Sequence, residues 1–151
     1  MAIGVISDTH GLLRPEAREA LRGSELILHA GDVGAPEVMR ELERIAPVVA
    51  VRGNVDLHAW AKRLRSAELV ECKKQTFYIL HRIADLDLKP KAASIAAVIY
   101  GHSHEPLIEW KDGVLFFNPG SAGPRRFSLP VTVGRIEIVG GELRPEIIHL
   151  L

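Results

Sequence analysis

Carboxylate, imidazole and amide side chains recur in short clusters, each directly after an apolar run of the sequence. The clusters are Asp8-Thr9-His10-Gly11, Gly31-Asp32, Gly53-Asn54-Val55-Asp56, His81 and Gly101-His102-Ser103-His104. Oxygen and imidazole donors of this kind bind borderline or hard divalent ions such as Mn, Fe or Zn. Cys72 is the one cysteine and lies away from the clusters, so a thiolate zinc site is not expected. A carboxylate such as Asp32, alone at the end of its strand, can bridge two ions.

Each cluster taken alone also has an ordinary structural explanation. Asp-x-His after a strand is often a turn or a helix cap, and Gly-Asp and Gly-Asn are common turn sequences. The pair His102 and His104 is harder to explain, because alternate histidines after an apolar strand have no evident packing role. Five clusters at five strand ends favour a shared site over five unrelated turns.

The apolar runs predict elements that bring the clusters together. Residues 3–6, 25–29 and 48–51 have the composition of buried strands, and residues 15–21 and 36–45 that of helices opened by proline. This alternation indicates parallel strands joined by helical crossovers. Ligands of such sheets bind beyond the carboxyl ends of the strands, which is where the polar clusters lie.

The second half is richer in strands. The predicted strands are 68–72, 76–81, 97–100, 107–110, 114–117, 131–139 and 142–149. Turn sequences between three pairs of them indicate hairpins, and residues 82–95 have the least regular pattern. We therefore expect residues 1–151 to form one domain of the α/β class, with two packed sheets and helices outside.

Charge and composition narrow the partners and the compartment. The chain has nineteen basic and nineteen acidic residues, so it lacks the basic excess typical of nucleic-acid binding. The net charge does not exclude a local basic groove. A single cysteine fits a reducing compartment. Neither a leader segment nor an apolar run of the ~20 residues that a membrane helix needs is evident. We expect a cytoplasmic protein without a membrane partner.

In this order, the clusters resemble the signature of calcineurin-like metallophosphoesterases. The short length and the sequences Ser7-Asp8-Thr9-His10-Gly11, Gly53-Asn54-Val55-Asp56 and Asn118-Pro119-Gly120-Ser121 are similar to the small bacterial and archaeal phosphodiesterase branch. The similarity runs from residue 3 to about residue 127. It implies a four-layer α/β/β/α sandwich of two mixed β-sheets packed face to face, with helices outside. It also implies two divalent metal ions per chain, Mn first, with Fe, Zn or Ni as alternatives.

The resemblance also assigns roles by position. Asp8, His10 and His104 would bind one ion, Asn54, His81 and His102 the other, and Asp32 both. A metal-bound hydroxide would attack the phosphorus of a small-molecule phosphate ester in line, a diester rather than a monoester. Asn54 would also contact a phosphoryl oxygen. Relatives of this size are often homodimers or homotetramers.

The sequence departs from the family pattern at two places. Larger members have a histidine after Gly-Asn that protonates the leaving group, whereas this chain has Val55 and then Asp56. Asp56 is a candidate for that acid, and a helix cap or a support of the ligands is an equal alternative. Small relatives often have Gly-His after the first histidine, where this chain has Arg82-Ile83. Arg82, Arg125 and Arg126 are either phosphate-binding residues or solvated surface arginines.

Two other functions stay open. The same fold serves as the small subunit of the retromer coat, a scaffold with a degenerate metal site, and a nuclease would use the same chemistry on nucleic acid. The complete set of ligand residues favours an enzyme. Of the remaining histidines, His29 is expected behind the ligands or in the core, and His149 in a structural position.

Overall fold

The first half of the chain alternates strands and helices as predicted. The computed structural model describes all 151 residues. Its first elements are β1 (Ala2–Ile6), α1 (Pro15–Leu21), β2 (Leu26–His29), α2 (Pro36–Glu43) and β3 (Val48–Ala50). Proline begins both helices, where the first turn leaves backbone N–H groups unpaired in any case.

The second half consists of strands joined mostly by tight turns. Its strands are β4 (Ala67–Cys72), β5 (Gln75–Leu80), β6 (Ala97–Ile99), β7 (Leu107–Lys111), β8 (Val114–Asn118), β9 (Thr132–Val139) and β10 (Glu142–His149). Two-residue turns at 73–74, 112–113 and 140–141 join the hairpins, and all six turn residues have positive φ. Such turns match the right-handed twist of the strands that they connect.

The strands form two mixed sheets of five strands each. The first sheet has the order β10-β9-β1-β2-β3 and the second the order β4-β5-β6-β8-β7. Strands β1, β2 and β3 are parallel to one another, as are β5, β6 and β8. Each sheet therefore has three parallel strands whose carboxyl ends lie at one edge.

The two sheets pack face to face through a cluster of fifteen buried apolar residues drawn from both. Phe77 and Phe117 are the largest fully buried side chains. On the outer face of the first sheet, α1 and α2 bury Leu21 and Leu42 against Ile6 and Ile27. The predicted sandwich of two mixed sheets with helices outside is confirmed.

The outer layer over the second sheet is thinner than the layer over the first. Val98, Tyr100 and Val114 pack there with half-buried Leu86 and Leu88. The covering segment contains the short 3₁₀ helix Ile83–Asp85 in place of an α-helix. A stretch this short, with proline at position 90, gives little length for a regular helix. None of the helices is long and apolar enough to cross a membrane.

Candidate metal centre

Side chains from the ends of four strands meet at one edge of the sandwich. Asp8 and His10 follow β1, Asp32 follows β2, His81 follows β5, and the two histidines at 102 and 104 follow β6. They form two groups, within each of which the possible ligand atoms lie within 4.8 Å of one another. The first cluster is Asp8, His10 and His104; the second cluster is Asp32, His81 and His102.

The two clusters adjoin through their carboxylates. Oδ2 of Asp32 lies 3.2 Å from Nε2 of His81 in its own cluster and 3.6 Å from Nε2 of His10 in the first. Oδ1 of Asp8 lies 3.4 Å from Nε2 of His104 and 3.8 Å from Nε2 of His81. Each carboxylate thus lies near histidines of both clusters.

Asn54 completes the set of seven predicted ligand residues. Its Oδ1 lies 3.2 Å from Nδ1 of His102, so its amide group is beside the second cluster. Both side chains are exposed, whereas Asp32 and His81 are buried. The second cluster therefore has an open side toward solvent.

The backbone that bears these residues is mostly in the left-handed region. The φ angles are 55° at Asp8, 48° at His10, 56° at Asp32, 74° at His102 and 64° at His104. Such conformations are uncommon outside glycine and cost of order 1–3 kcal/mol each. Backbone hydrogen bonds between the loops hold them, among them His10 N–H to the Asp32 carbonyl at 2.9 Å.

Each carboxylate has one oxygen fixed by hydrogen bonds and the other turned to the centre. Oδ2 of Asp8 accepts from the Ser7 hydroxyl at 2.7 Å and from the His102 N–H at 3.0 Å. Oδ1 of Asp32 accepts from the Val55 N–H at 2.9 Å. Sequence reasoning had no role for Ser7, whose hydroxyl orients Asp8.

Four buried polar atoms at this edge have no hydrogen-bond partner: Asp8 Oδ1, His10 Nε2, His81 Nε2 and His104 Nδ1. An unpaired buried polar atom costs about 1–3 kcal/mol, so such a concentration needs an explanation. The His81 ring is oriented by its Nδ1, which lies 2.7 Å from the Ala30 carbonyl oxygen. With Nδ1–H as donor, the lone pair of Nε2 faces the carboxylates, the arrangement found in metal-binding histidines. The donor set therefore fits divalent cations.

The electrostatics keep the carboxylates ionised. Burial opposes the charge of Asp8, but His10, His104, Ser7 and the charge of His81 outweigh it and hold the pKa of Asp8 far below its usual range. The pKa of Asp32 is lowered against burial by His81 and the Val55 N–H.

The pKa values of the two histidines in the second cluster shift in opposite directions. Burial lowers the pKa of His81, but Asp32, Asp8 and the Ala30 carbonyl raise it above 6.5 overall. The pKa of His102 is lowered by burial and by the positive charges of His81 and Arg82. Within the second cluster, positive charge is therefore favoured at buried His81 over exposed His102.

His29 lies behind the ligands and connects two of their loops, those after β1 and β2. It is fully buried, its Nδ1 accepts from the Gly31 N–H at 3.1 Å, and its Nε2 lies 3.0 Å from the Thr9 hydroxyl. The hydroxyl donates in turn to the Val33 carbonyl at 2.8 Å. Burial lowers the pKa of His29 to about 4, so the neutral ring is the stable form. The expected position behind the ligands agrees with these contacts.

Asp56 is buried, and its carboxylate joins two loops of the site. Its oxygens accept hydrogen bonds from the N–H groups of Val33 at 3.1 Å, Gly34 at 3.0 Å and Gly53 at 2.9 Å. Both oxygens are thus used to hold the loops after β2 and β3. Of the two roles predicted for Asp56, these contacts favour support of the ligands over proton donation.

The end of β8 and the loop that follows it support the first cluster. The Asn118 amide donates to the Gly101 carbonyl at 3.3 Å and to the Ser103 hydroxyl at 3.1 Å. The Ser121 hydroxyl donates to the Asp8 carbonyl at 3.1 Å. The motif Asn118–Ser121 was recognised in the sequence, but the contacts that it makes depend on how the two sheets pack.

The three candidate arginines occupy different places. Arg82 lines a cavity together with Asn54 and His81. Arg125 and Arg126 are exposed, and Arg125 donates from Nε to the Leu129 carbonyl at 3.2 Å within its own loop. The structure thus brings Arg82 beside the second cluster and leaves the other two on the surface. Arg52, absent from the sequence-based candidates, lines the same cavity.

Comparison with known proteins identifies the family of the chain. The sequence profile of the calcineurin-like phosphoesterase superfamily domain matches residues 1–141. The chain belongs to this superfamily. A probable metallophosphoesterase of Methanothermobacter thermautotrophicus is 39% identical, covering 99% of this chain and 92% of the relative. A phosphodiesterase of Methanocaldococcus jannaschii is 32% identical, covering 95% and 97%.

Two solved structures share the whole fold of this chain. An archaeal phosphodiesterase superposes with a TM-score of 0.79 at 30% identity, covering 98% of this chain and all of the other. Vps29 of Entamoeba histolytica, solved with Zn²⁺, has a TM-score of 0.74 at 20% identity over the full length of both chains. Likeness at that identity concerns the fold alone.

Proposed function

We propose that this chain hydrolyses phosphate esters with two divalent metal ions and prefers diesters. The observation that carries the proposal is the pair of adjoining clusters of possible ligand atoms, in which Asp8 Oδ1, His10 Nε2 and His81 Nε2 are buried without a hydrogen-bond partner. The phosphodiesterase of Methanocaldococcus jannaschii, at 32% identity, supports the preference for diesters.

The seven residues divide between the ions as follows. Asp8, His10 and His104 hold one ion, Asn54, His81 and His102 hold the other, and Asp32 binds both. The position of Asp32 Oδ2 between His81 and His10 supports the shared role. When bound, the two ions activate a water for in-line attack and neutralise charge on the phosphoryl group. We propose Mn as the native metal, since oxygen and imidazole donors without thiolate suit it, as they do Fe, Zn or Ni.

The chain's own groups bind and orient the ester. The exposed amide of Asn54, at the open side of the second cluster, donates to a phosphoryl oxygen. Arg82 offers a planar guanidinium beside the same residue, suited to a bidentate phosphate contact. Arg125 and Arg126, on the loop after Ser121, can approach from the first cluster's side. We assign Asp56 to positioning, because backbone N–H groups occupy both of its oxygens.

A protein-binding scaffold accounts less well for the same structure. Four unpaired polar atoms destabilise a buried site, and a scaffold gains nothing from them. A nuclease would need a surface that neutralises several phosphates, and the equal numbers of acidic and basic residues offer no excess for it.

Substitution of the shared carboxylate tests the proposal. Wild-type protein, Asp32→Asn and a control, Asp112→Asn in an exposed hairpin turn, are loaded with Mn²⁺ and analysed for metal content. Hydrolysis of bis(p-nitrophenyl) phosphate and p-nitrophenyl phosphate is measured on each. We expect two ions per wild-type and control chain. In Asp32→Asn we expect both ions to be depleted and turnover to fall by at least about a hundredfold. Retention of both ions with normal turnover would refute the shared role.

A further inference from the structure

A cavity of about 450 Å³ opens directly beside the second cluster. Two proposed ligands, Asn54 and His81, form part of its wall, so a phosphoryl group held at the ions lies next to it. The volume is within the range of small-molecule sites and exceeds the need of a phosphate group alone. One ester substituent of a bound diester therefore has space to enter.

The lining of the cavity is polar but carries no net charge. Arg52 and Arg82 contribute two positive charges, and Asp85 and Asp87 contribute two negative ones. Arg82 Nε and Asp85 Oδ2 are 3.9 Å apart, too far for a strong hydrogen bond. Arg52 takes part in none of the ion pairs that arginines form in this structure. Its guanidinium is free to donate to a ligand.

The rest of the lining provides a platform. The half-buried ring of Tyr78 and the side chains of Leu80 and Ala67 form its less polar part. Burial and nearby Asp87 raise the pKa of Tyr78, which keeps its hydroxyl protonated as a donor. A flat face beside hydrogen-bonding groups is suited to a sugar ring.

We propose that this cavity binds one substituent of the phosphodiester substrate, and that the substituent is a neutral group bearing hydroxyls, such as a sugar. Guanidinium groups donate to hydroxyl oxygens, and the Asp85 and Asp87 carboxylates accept the hydroxyl protons. The carboxylates would repel a second phosphate, and the arginines would repel a quaternary ammonium group. A lining with charges of both signs therefore disfavours a charged substituent. The proposal rests on the phosphodiesterase activity proposed above and adds Arg52 as a residue that determines specificity.

The test compares p-nitrophenyl diesters that share one leaving group and differ in the retained substituent. The substituents are thymidine (5′), glucose (6-position), phenyl and choline, and the monoester p-nitrophenyl phosphate is the reference. Metal-loaded wild-type protein, Arg52→Ala, Asp87→Asn and a control, Arg144→Ala on exposed β10, are assayed. We expect the sugar esters to have the highest kcat/KM, and the thymidine and glucose arms to distinguish a nucleoside from a simple sugar.

The variants separate binding in the cavity from chemistry at the ions. Arg52→Ala and Asp87→Asn are expected to lower kcat/KM for the sugar esters about tenfold, mainly through KM, and to leave the monoester within about twofold. Calorimetry with thymidine 5′-methylphosphonate, which lacks a second ester, should give correspondingly weaker binding to these variants. The kcat/KM values of Arg144→Ala should equal those of the wild type, and the metal content of all variants should be unchanged.

Failure of this inference differs from failure of the proposed activity. Equal losses on diesters and monoester, no loss in either variant, or a preference for the choline ester would refute the cavity's role while leaving a phosphoesterase. Absence of turnover on every ester by metal-loaded wild-type protein would refute the activity, and unchanged calorimetric binding to Arg52→Ala would then refute the cavity's role independently.

Discussion

The interior between the sheets and the edge that bears the clusters differ in the polarity of their buried side chains. Between the sheets, fifteen apolar residues pack without polar side chains, and Phe77 and Phe117 are fully buried. At the edge, buried carboxylates and histidines leave polar atoms unpaired, on a backbone that is left-handed at five of the seven proposed ligands. The interior stabilises the fold. The strained backbone and unpaired polar atoms at the edge lower that stability and preform a site for a ligand.

The edge also differs in how its side chains are fixed. Interior residues are held by packing, whereas the proposed ligands are held by hydrogen bonds. Ser7 donates directly to Asp8, and His29 and Asp56 accept from backbone N–H groups of the loops that carry the ligands. Substitutions in the interior should therefore change stability without changing chemistry. Substitutions at the edge should do the reverse.

The largest effect is expected from Phe77→Ala in the interior. Loss of this fully buried ring leaves a cavity between the sheets and should lower the free energy of unfolding by about 3–5 kcal/mol. Chemical denaturation measures that loss. Turnover per folded molecule should stay near that of the wild type; a large loss of turnover in the folded protein would show that interior and edge are not separable.

A smaller effect is expected from His29→Leu, behind the ligands. Leucine keeps the volume but removes both hydrogen bonds that connect Gly31 and Thr9 through the ring. Loss of such a support typically weakens metal binding by about 10–100-fold. Calorimetric titration with Mn²⁺ measures the affinity of the variant for the metal. Wild-type affinity in this variant would mean that the loops are fixed by other contacts.

Acidification should weaken metal binding by up to about tenfold per pH unit for each proton displaced. His81 must be neutral to bind a cation, and in the metal-free site its pKa is raised above 6.5 by Asp32 and Asp8. As the pH falls through that raised pKa, a proton occupies Nε2 and competes with the metal. Mn²⁺ affinity measured from about pH 8 downward should decline, and an affinity independent of pH would exclude His81 as a ligand.

The smallest effect is expected from His149→Ala. This histidine is exposed at the end of β10, and none of the site residues contacts it through a hydrogen bond or ion pair. Activity and metal content should be unchanged, which makes the variant a matched control for His29→Leu. A hundredfold loss of turnover would place the active site elsewhere.

Most of the fold follows from local sequence patterns. Proline at positions 15 and 36, the apolar runs that form β1 to β3, and the Asp112-Gly113 and Gly140-Gly141 turns all predict elements that the structure contains. The segment 82–95 is the exception. Its few apolar residues pack on the second sheet as a 3₁₀ turn and irregular chain, a result of tertiary contacts that no periodicity reveals.

The meeting of the clusters at one edge was predictable from the sequence, but their detailed contacts were not. The order of the clusters along the chain places Asp8, Asp32 and His81 together, because parallel strands end at one edge. The contacts of Ser7 and Asp56, and the cavity beside Arg52, depend on side-chain directions across two sheets. Such relations join residues far apart in sequence, and a short motif does not encode them.

The most direct test of the account is whether two ions occupy neighbouring positions in one molecule. Electron paramagnetic resonance of the wild-type protein loaded with Mn²⁺ should give the multiline spectrum of an exchange-coupled pair, because ions in a two-metal site are about 3.5–4 Å apart. In Asp32→Asn that coupling should disappear. A wild-type spectrum of isolated Mn²⁺ at full occupancy, or no bound Mn²⁺, would contradict a shared centre built from the two clusters.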